Sequence, residues 1–174
     1  MSNLAAVGAK GLLAFSLVAG AAASAQGVSG LQPATPSDIS SAASSCLASV
    51  QATGTDESVL LAQGWERATM RAEGRAVETA LKIYGRKGAN VVLMTAPGTG
   101  ASGLCTVTAR VESLDSFAAI AQAIGQNLNI EGKQSEAGAM LWFSGRKVVQ
   151  LAQTGERAKP AVRVSVLHLT EKSK

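Results

Sequence analysis

The sequence predicts an α+β fold: one twisted antiparallel sheet of about five strands, a helix across one face, and amino-terminal helices packed around it. Three observations carry this. Between Cys105 and Glu112 the small apolar residues Cys105, Val107, Ala109 and Val111 alternate with Thr106, Thr108, Arg110 and Glu112, the period-two pattern of a strand with one covered face. Directly afterwards Phe117, Ile120, Ala121, Ile124 and Leu128 recur at helical spacing, with Ser113 as N-cap and Asp115 in the first turn where the helix dipole favours a carboxylate, so a helix can supply the cover. From Asn90 onward the elements run strand, strand, helix, strand, strand, strand, and their short connections favour antiparallel neighbours.

The first residues read as an address. Lys10 is the only charge before the apolar run from Gly11 to Ala23, and Ala23-Ser24-Ala25 places small side chains where a signal peptidase reads them. Residues 1–25 are therefore expected to be a signal peptide of bacterial style, cleaved after Ala25, which sends the chain to the periplasm or outside the cell. The run is shorter than the roughly 20 apolar residues of a membrane-spanning helix, and no later segment approaches that length, so no membrane span is expected after cleavage. Removing 25 of the 174 residues leaves 149, the size of one domain. Residues 26–34, rich in Gly, Ser, Gln and Pro, form a flexible leader; 35–169 form a single α+β domain; 170–174 form a charged tail. Loss of Lys10 lowers the net charge from +4 to +3, an excess too small and too scattered to indicate a nucleic-acid partner.

Thr35-Pro36-Ser37-Asp38 opens the first helix, with Thr35 as cap, Pro36 at the first helical position and Asp38 as the capping carboxylate. Its apolar stripe is Ile39, Ala42, Ala43, Cys46, Leu47 and Val50, and it ends before Gly54. Thr55-Asp56-Glu57 begins a short second helix carrying Val59, Leu60 and Ala62, which stops at Gly64. The stretch from Trp65 to Gly74 matches two templates. As a strand it turns Ala68, Met70 and Ala72 inward; as a helix it aligns Arg67, Arg71 and Arg75 in one basic stripe. Gly64-Trp65 after a terminated helix favours a strand through about Met70, with Gly74 as a break. Val77, Ala80, Leu81 and Tyr84 then define a helix ending in Arg86-Lys87-Gly88. Asn90 to Ala96 is a well-buried strand, Met140 to Phe143 and Val148 to Leu151 form a hairpin about Ser144-Gly145, and Val162, Val164 and Val166 mark a final strand. Five strands in this order resemble the general layout of PAS- and profilin-like domains, where the last strand lies centrally beside the first. The resemblance is one of element order, carries no motif, and implies no activity or site residue.

Cys46 and Cys105 sit on the apolar stripe of the first helix and the apolar face of the strand at 105–111, so both point at one interior. In an exported chain they are expected to form a structural disulfide. They form no Cys-x-x-Cys, which argues against a redox-active pair.

Motifs of catalysis are weak. Gly98-Thr99-Gly100-Ala101-Ser102-Gly103 matches G-x-G-x-x-G and follows a strand, but the next element is another strand where phosphate capture needs a helix N-terminus, so it reads as a hairpin loop. His168, the single histidine, cannot make a multi-histidine metal site, and no Cys-His cluster has zinc spacing, so neither a metal nor another cofactor is expected. A hydrolase would need His168 as base with Asp38, Asp56 or Asp115 to orient it, and none has a recognisable nucleophile elbow nearby. At the end of a strand, His168 fits the edge of a core better. The carboxylates Glu66, Glu73, Glu78, Glu112 and Asp115 each have Arg or Lys close by in sequence, the pattern of a solvated face.

Binding is the leading expectation. In the hairpin Trp142 and Phe143 face opposite sides of the sheet, so one of them is a candidate contact residue, together with Arg146 and Lys147 of the turn. The basic region of Arg67, Arg71, Arg75, Lys82, Arg86 and Lys87 is a second candidate surface, set against the simpler reading of a solvated face balanced by Glu66, Glu73 and Glu78. The sequence thus points to an exported non-catalytic binding or interaction domain of the bacterial envelope, whose partner is an envelope or extracellular protein or a small ligand. Two alternatives stand beside it: a small-molecule sensor or carrier with a cavity between sheet and helix, and a hydrolase using His168.

Overall fold

A computed structural model of the protein describes residues 31–97 and 103–169. The expected signal peptide at 1–25, most of the expected leader at 26–34, the glycine loop at 98–102 and the charged residues at 170–174 lie outside the described residues. Helix α1 (Pro36–Ser49) begins as its sequence predicts: Thr35 caps the helix by accepting from the Asp38 N–H, and the Asp38 carboxylate accepts from the Thr35 N–H. Ile39, Ala42, Ala43, Cys46 and, just past the helix, Val50 are buried. A short ribbon follows, β1 (Val50–Gln51) and β2 (Gly54–Thr55), and then α2 (Glu57–Ala62), capped by the Asp56 carboxylate, which accepts from the Ser58 N–H.

The strands that follow are β3 (Glu66–Arg67), β4 (Arg71–Ala72), β5 (Arg75–Ala76), β6 (Lys82–Gly85), β7 (Val91–Pro97) and β8 (Gly103–Arg110). Helix α3 (Ser116–Leu128) leads to β9 (Lys133–Gln134), β10 (Met140–Ser144), β11 (Lys147–Glu156) and β12 (Lys159–His168). Eight of them form one antiparallel sheet in the order β3-β6-β7-β8-β12-β11-β10-β9, while β4 and β5 make a separate small hairpin.

The α+β class and the antiparallel sheet are as the sequence predicts; the strand count and the PAS- or profilin-like order are not. The long strands run β7-β8-β12-β11-β10, so the last strand lies beside the second of them, not the first. The predicted helix at 77–84 is replaced at its end by β6. Its apolar residues do fall at helical spacing, but Val77 and Leu81 stay exposed, and β6 supplies backbone partners to β7, which would otherwise be a bare edge. Near Trp65 the strand reading holds only for Glu66 and Arg67. Ala68, Met70 and Ala72 point to solvent, and the chain folds back at Glu73-Gly74, where both residues have positive φ.

The cover also differs from expectation. Helix α1, not α3, crosses the sheet centre over β7, β8, β12 and β11, and α3 lies beside α1 with only Ile120 and Ile124 fully buried. Small side chains explain this, because Ala42, Ala43 and Cys46 let α1 approach Cys105, Val107 and Ala109 closely. The expected Ser113 cap gives way to a turn at 113–115, and α3 starts at Ser116.

Cross-strand register shows which residues share the covered face. One row is Trp142, Val149, Val166, Cys105, Thr95 and Lys82; the next is Met140, Leu151, Val164, Val107, Leu93 and Tyr84. At the centre of the first row Cys46 of α1 is bonded to Cys105 of β8, with a Cα separation of 5.4 Å across 59 residues of sequence. Two glycines permit close approaches at the periphery. A Cβ on Gly103 would overlap the Gly54 carbonyl of β2, and one on Gly132 would lie 2.7 Å from the indole nitrogen of Trp142.

Closing a loop of this length stabilises by about 4 kcal/mol in the chain-entropy model. The double variant Cys46→Ala/Cys105→Ala should lose about that much in urea denaturation relative to the oxidised protein. A loss under about 1 kcal/mol would show that α1 is held on the sheet by packing alone.

Candidate functional site

Among the described residues, no helix packs on the second face of the sheet. Alternation there should place polar groups in water. It does so only in part. Across five neighbouring strands the register aligns Phe143, Val148, Leu167, Leu104 and Ala96, an unbroken apolar row. Strands spaced about 4.8 Å apart make it roughly 19 Å long. Phe143 is 50% exposed, the other four are partly buried, and Leu81, 43% exposed, continues the apolar surface beyond Ala96. The adjacent row is mixed: Leu141, Gln150, Ser165, Thr106, Met94 and Ile83. Arg163 stands beyond it, exposed, between Ala152 and Thr108, neither of which can neutralise it. A shallow hollow of about 380 Å³ runs along this face between Leu81, Met94, Leu104, Leu167 and Arg163.

The residues that the sequence nominates fall in several places. Trp142 is buried on the covered face, its indole against Gly125 and Gly132, whereas its neighbour Phe143 is on the open one. Lys147 donates to the Leu47 carbonyl at 2.8 Å, placing a cation at the carboxyl end of α1. Arg146 is exposed in the turn, where its carbonyl accepts from the Leu169 N–H at 2.7 Å. The arginines do not make one stripe: Arg71 and Arg75 lie in the small hairpin, where Arg71 donates to the Gly74 carbonyl, and Arg67 is at the sheet edge among carboxylates.

At that edge a second cleft, of about 350 Å³, opens between the β2–α2 segment and strands β6 and β7. No sequence pattern points to it, because its residues come from three separate stretches. Glu57 of α2, Lys82 and Tyr84 of β6, and Thr95 of β7 line it, along with Thr55, Ala80, Ala96 and Pro97. The Lys82 ammonium lies 2.7 Å from the Glu57 carboxylate, Arg67 lies 3.9 Å from the other oxygen of Glu57, and Arg67 also pairs with Glu78. Two cations and two carboxylates thus share one network. The hydrogen bond from Lys82 holds the Glu57 carboxyl below its ordinary value of 4.5, outweighing the opposing effect of partial burial. Burial pushes the Tyr84 hydroxyl up, so it stays protonated. Tyr84 is 1% exposed, and its hydroxyl is buried beside Thr95 and Glu57.

His168 ends β12 opposite Lys147, with its Nδ1 buried and without a partner. The aspartates proposed to orient it are placed elsewhere: Asp38 and Asp56 cap helices, and Asp115 precedes α3. Among the described residues no group of three or more His, Cys, Asp or Glu side chains is placed to hold a metal ion, and no helix is long and apolar enough to cross a membrane. No family model, curated protein or solved structure matches the chain.

The Glu57 network predicts a pH dependence. Because the folded carboxyl has the lower pKa, its contribution to stability is complete above about pH 4.5 and is lost as pH falls through the folded value. Urea midpoints followed from pH 7 to about pH 3 should fall less steeply for Glu57→Gln than for the wild type. Parallel curves would mean that the Lys82 contact does not favour folding.

Proposed function

We infer that the protein is an exported, non-catalytic binding domain that docks another protein on the open face of its sheet. The observation that carries this reading is the apolar row Phe143, Val148, Leu167, Leu104 and Ala96. Solvated sheet faces alternate toward polar residues, and a continuous apolar strip on one is the ordinary mark of a contact surface. Export is supported by the residues before Gln26 and by the Cys46–Cys105 bond, which suits an oxidising compartment.

Charge selects the kind of partner. Arg163 stands on this face without a carboxylate opposite, Lys133 shares the face through its pairing with Leu141, and the chain without residues 1–25 carries a net charge of +3. Two copies brought face to face would meet with like charges. The complementary occupant is a protein segment with apolar side chains flanked by Asp or Glu.

A photo-reactive amino acid at Phe143 or Leu167, activated in cells of the native host, tests this directly. The expected result is a cross-link to one envelope or extracellular protein through an acidic, apolar segment. Binding of the purified partner should then weaken at least about tenfold in Phe143→Ser and in Arg163→Glu, since contact residues at a small interface commonly carry that much. A cross-link only to a second copy, or binding only to vesicles of phosphatidylglycerol, would overturn the reading.

A further inference from the structure

We propose that the arm from Ala68 to Leu81 is a proteolytic processing site, where an endopeptidase that cleaves after arginine converts the protein into two chains held together by the Cys46–Cys105 bond. The cut falls at Arg71-Ala72 or Arg75-Ala76, in strands that belong to neither face of the large sheet.

The arm contributes nothing to the core. Every residue from Glu66 to Leu81 is exposed, and the buried apolar cluster has no member between Trp65 and Tyr84. Strands β4 and β5 pair only with each other, through Arg71 opposite Ala76 and Ala72 opposite Arg75, and the Val77 N–H donates to the Met70 carbonyl beside them. Opening the arm therefore uncovers no buried apolar surface, and a protease cuts first where local opening is least costly. Each strand of the arm is an Arg-Ala pair, so an arginine-directed enzyme finds its target at the weakest point of the fold. The other Lys and Arg side chains among the described residues stand in strands of the eight-stranded sheet or in the turns that join them. Even Arg157, exposed at the tip of the long β11–β12 hairpin, sits in the tight turn between the paired residues Glu156 and Lys159.

The rest of the molecule is built to survive the cut. Hydrolysis adds one water across the Arg71–Ala72 or Arg75–Ala76 bond, leaving a carboxylate on the arginine and an amino group on the alanine. The first product carries α1, α2 and Cys46; the second carries α3, strands β6 to β12 and Cys105. The disulfide joins them covalently, and α1 stays packed over the sheet with Ile39, Ala42 and Ala43 buried. Polar contacts cross the same division: Glu57 to Lys82 at 2.7 Å, Arg67 to Glu78, and Arg86 over the Trp65 ring. The new ends are therefore pinned close to where they were made, with β3 still paired to β6. No Lys or Arg lies between Lys10 and Arg67, so the enzyme has no earlier target in the mature chain than Arg67, which β3 and its ion pairs hold in place.

The test is electrophoresis, with and without reductant, of the protein isolated from its native host under protease inhibitors, beside brief trypsin digestion of the purified uncut protein. The expected result for the host protein is one band without reductant and two with it, the amino-terminal chain ending at Arg71 or Arg75 by mass spectrometry. Trypsin should make the same first cut, raising the unreduced mass by one water while near-ultraviolet circular dichroism stays native. The double variant Arg71→Gln/Arg75→Gln changes only exposed side chains. It should remain a single chain in the host and resist trypsin under the conditions that convert the wild type. A single chain after reduction of the wild-type host protein would overturn the proposal. So would a first tryptic cut after another Lys or Arg of residues 31–169, loss of the near-ultraviolet signal on cutting, or equal cleavage of the double variant.

Discussion

A wide sheet has two faces to shield, and the helices described here suffice for one. Eight strands spaced about 4.8 Å apart span roughly 34 Å, and helices packed about 10 Å apart cover a similar width only when three lie side by side. Helices α1, α2 and α3 are all placed on the same side, with α1 pinned over the centre by its bond to β8 and the others ranged beside it. Both candidate surfaces follow from that allocation. Among the described residues nothing helical covers the far face with its apolar row, and the short α2 leaves the β6–β7 edge incompletely roofed, which is where the cleft forms.

The two surfaces differ in what holds them. The open face rests on five long or well-paired strands, so its side chains are displayed on rigid backbone. The cleft edge is built from shorter pieces joined by ion pairs among Glu57, Lys82, Arg67 and Glu78. Arg86, stacked over the Trp65 ring at 4.7 Å, ties the chain after β6 to the end of α2. Beyond it, the β4–β5 hairpin is exposed along both strands, and a two-stranded hairpin without a packed face is only marginally stable by itself.

Local signals were legible in the sequence and long-range ones were not. Thr35, Pro36 and Asp38 start α1 by chemistry confined to four residues, and the stripe from Ile39 to Val50 states which face is buried. Cys46 and Cys105 could be paired because each lay on an apolar face of its own element. Tyr84 misled, because Val77, Ala80, Leu81 and Tyr84 satisfy a helical spacing while the bare edge of β7, visible only in three dimensions, draws Lys82–Gly85 into the sheet. The apolar row was half visible. Leu104 and Leu167 occupy positions where alternation calls for polar residues, and Val148 doubles Val149, but only the register aligns them with Phe143. The cleft was invisible because Glu57, Lys82 and Thr95 are far apart in sequence and each is unremarkable alone.

Both cysteines that hold α1 to β8 are completely buried. A thiolate reductant must reach a sulfur atom to exchange with it, and here the helix and the sheet close off that approach. The bond is thus shielded from the redox state of its surroundings once the protein has folded. Oxidation has to take place while α1 is still lifted from the sheet, which makes the cross-link a record of the compartment in which the chain folded and not a sensor of the one in which it works.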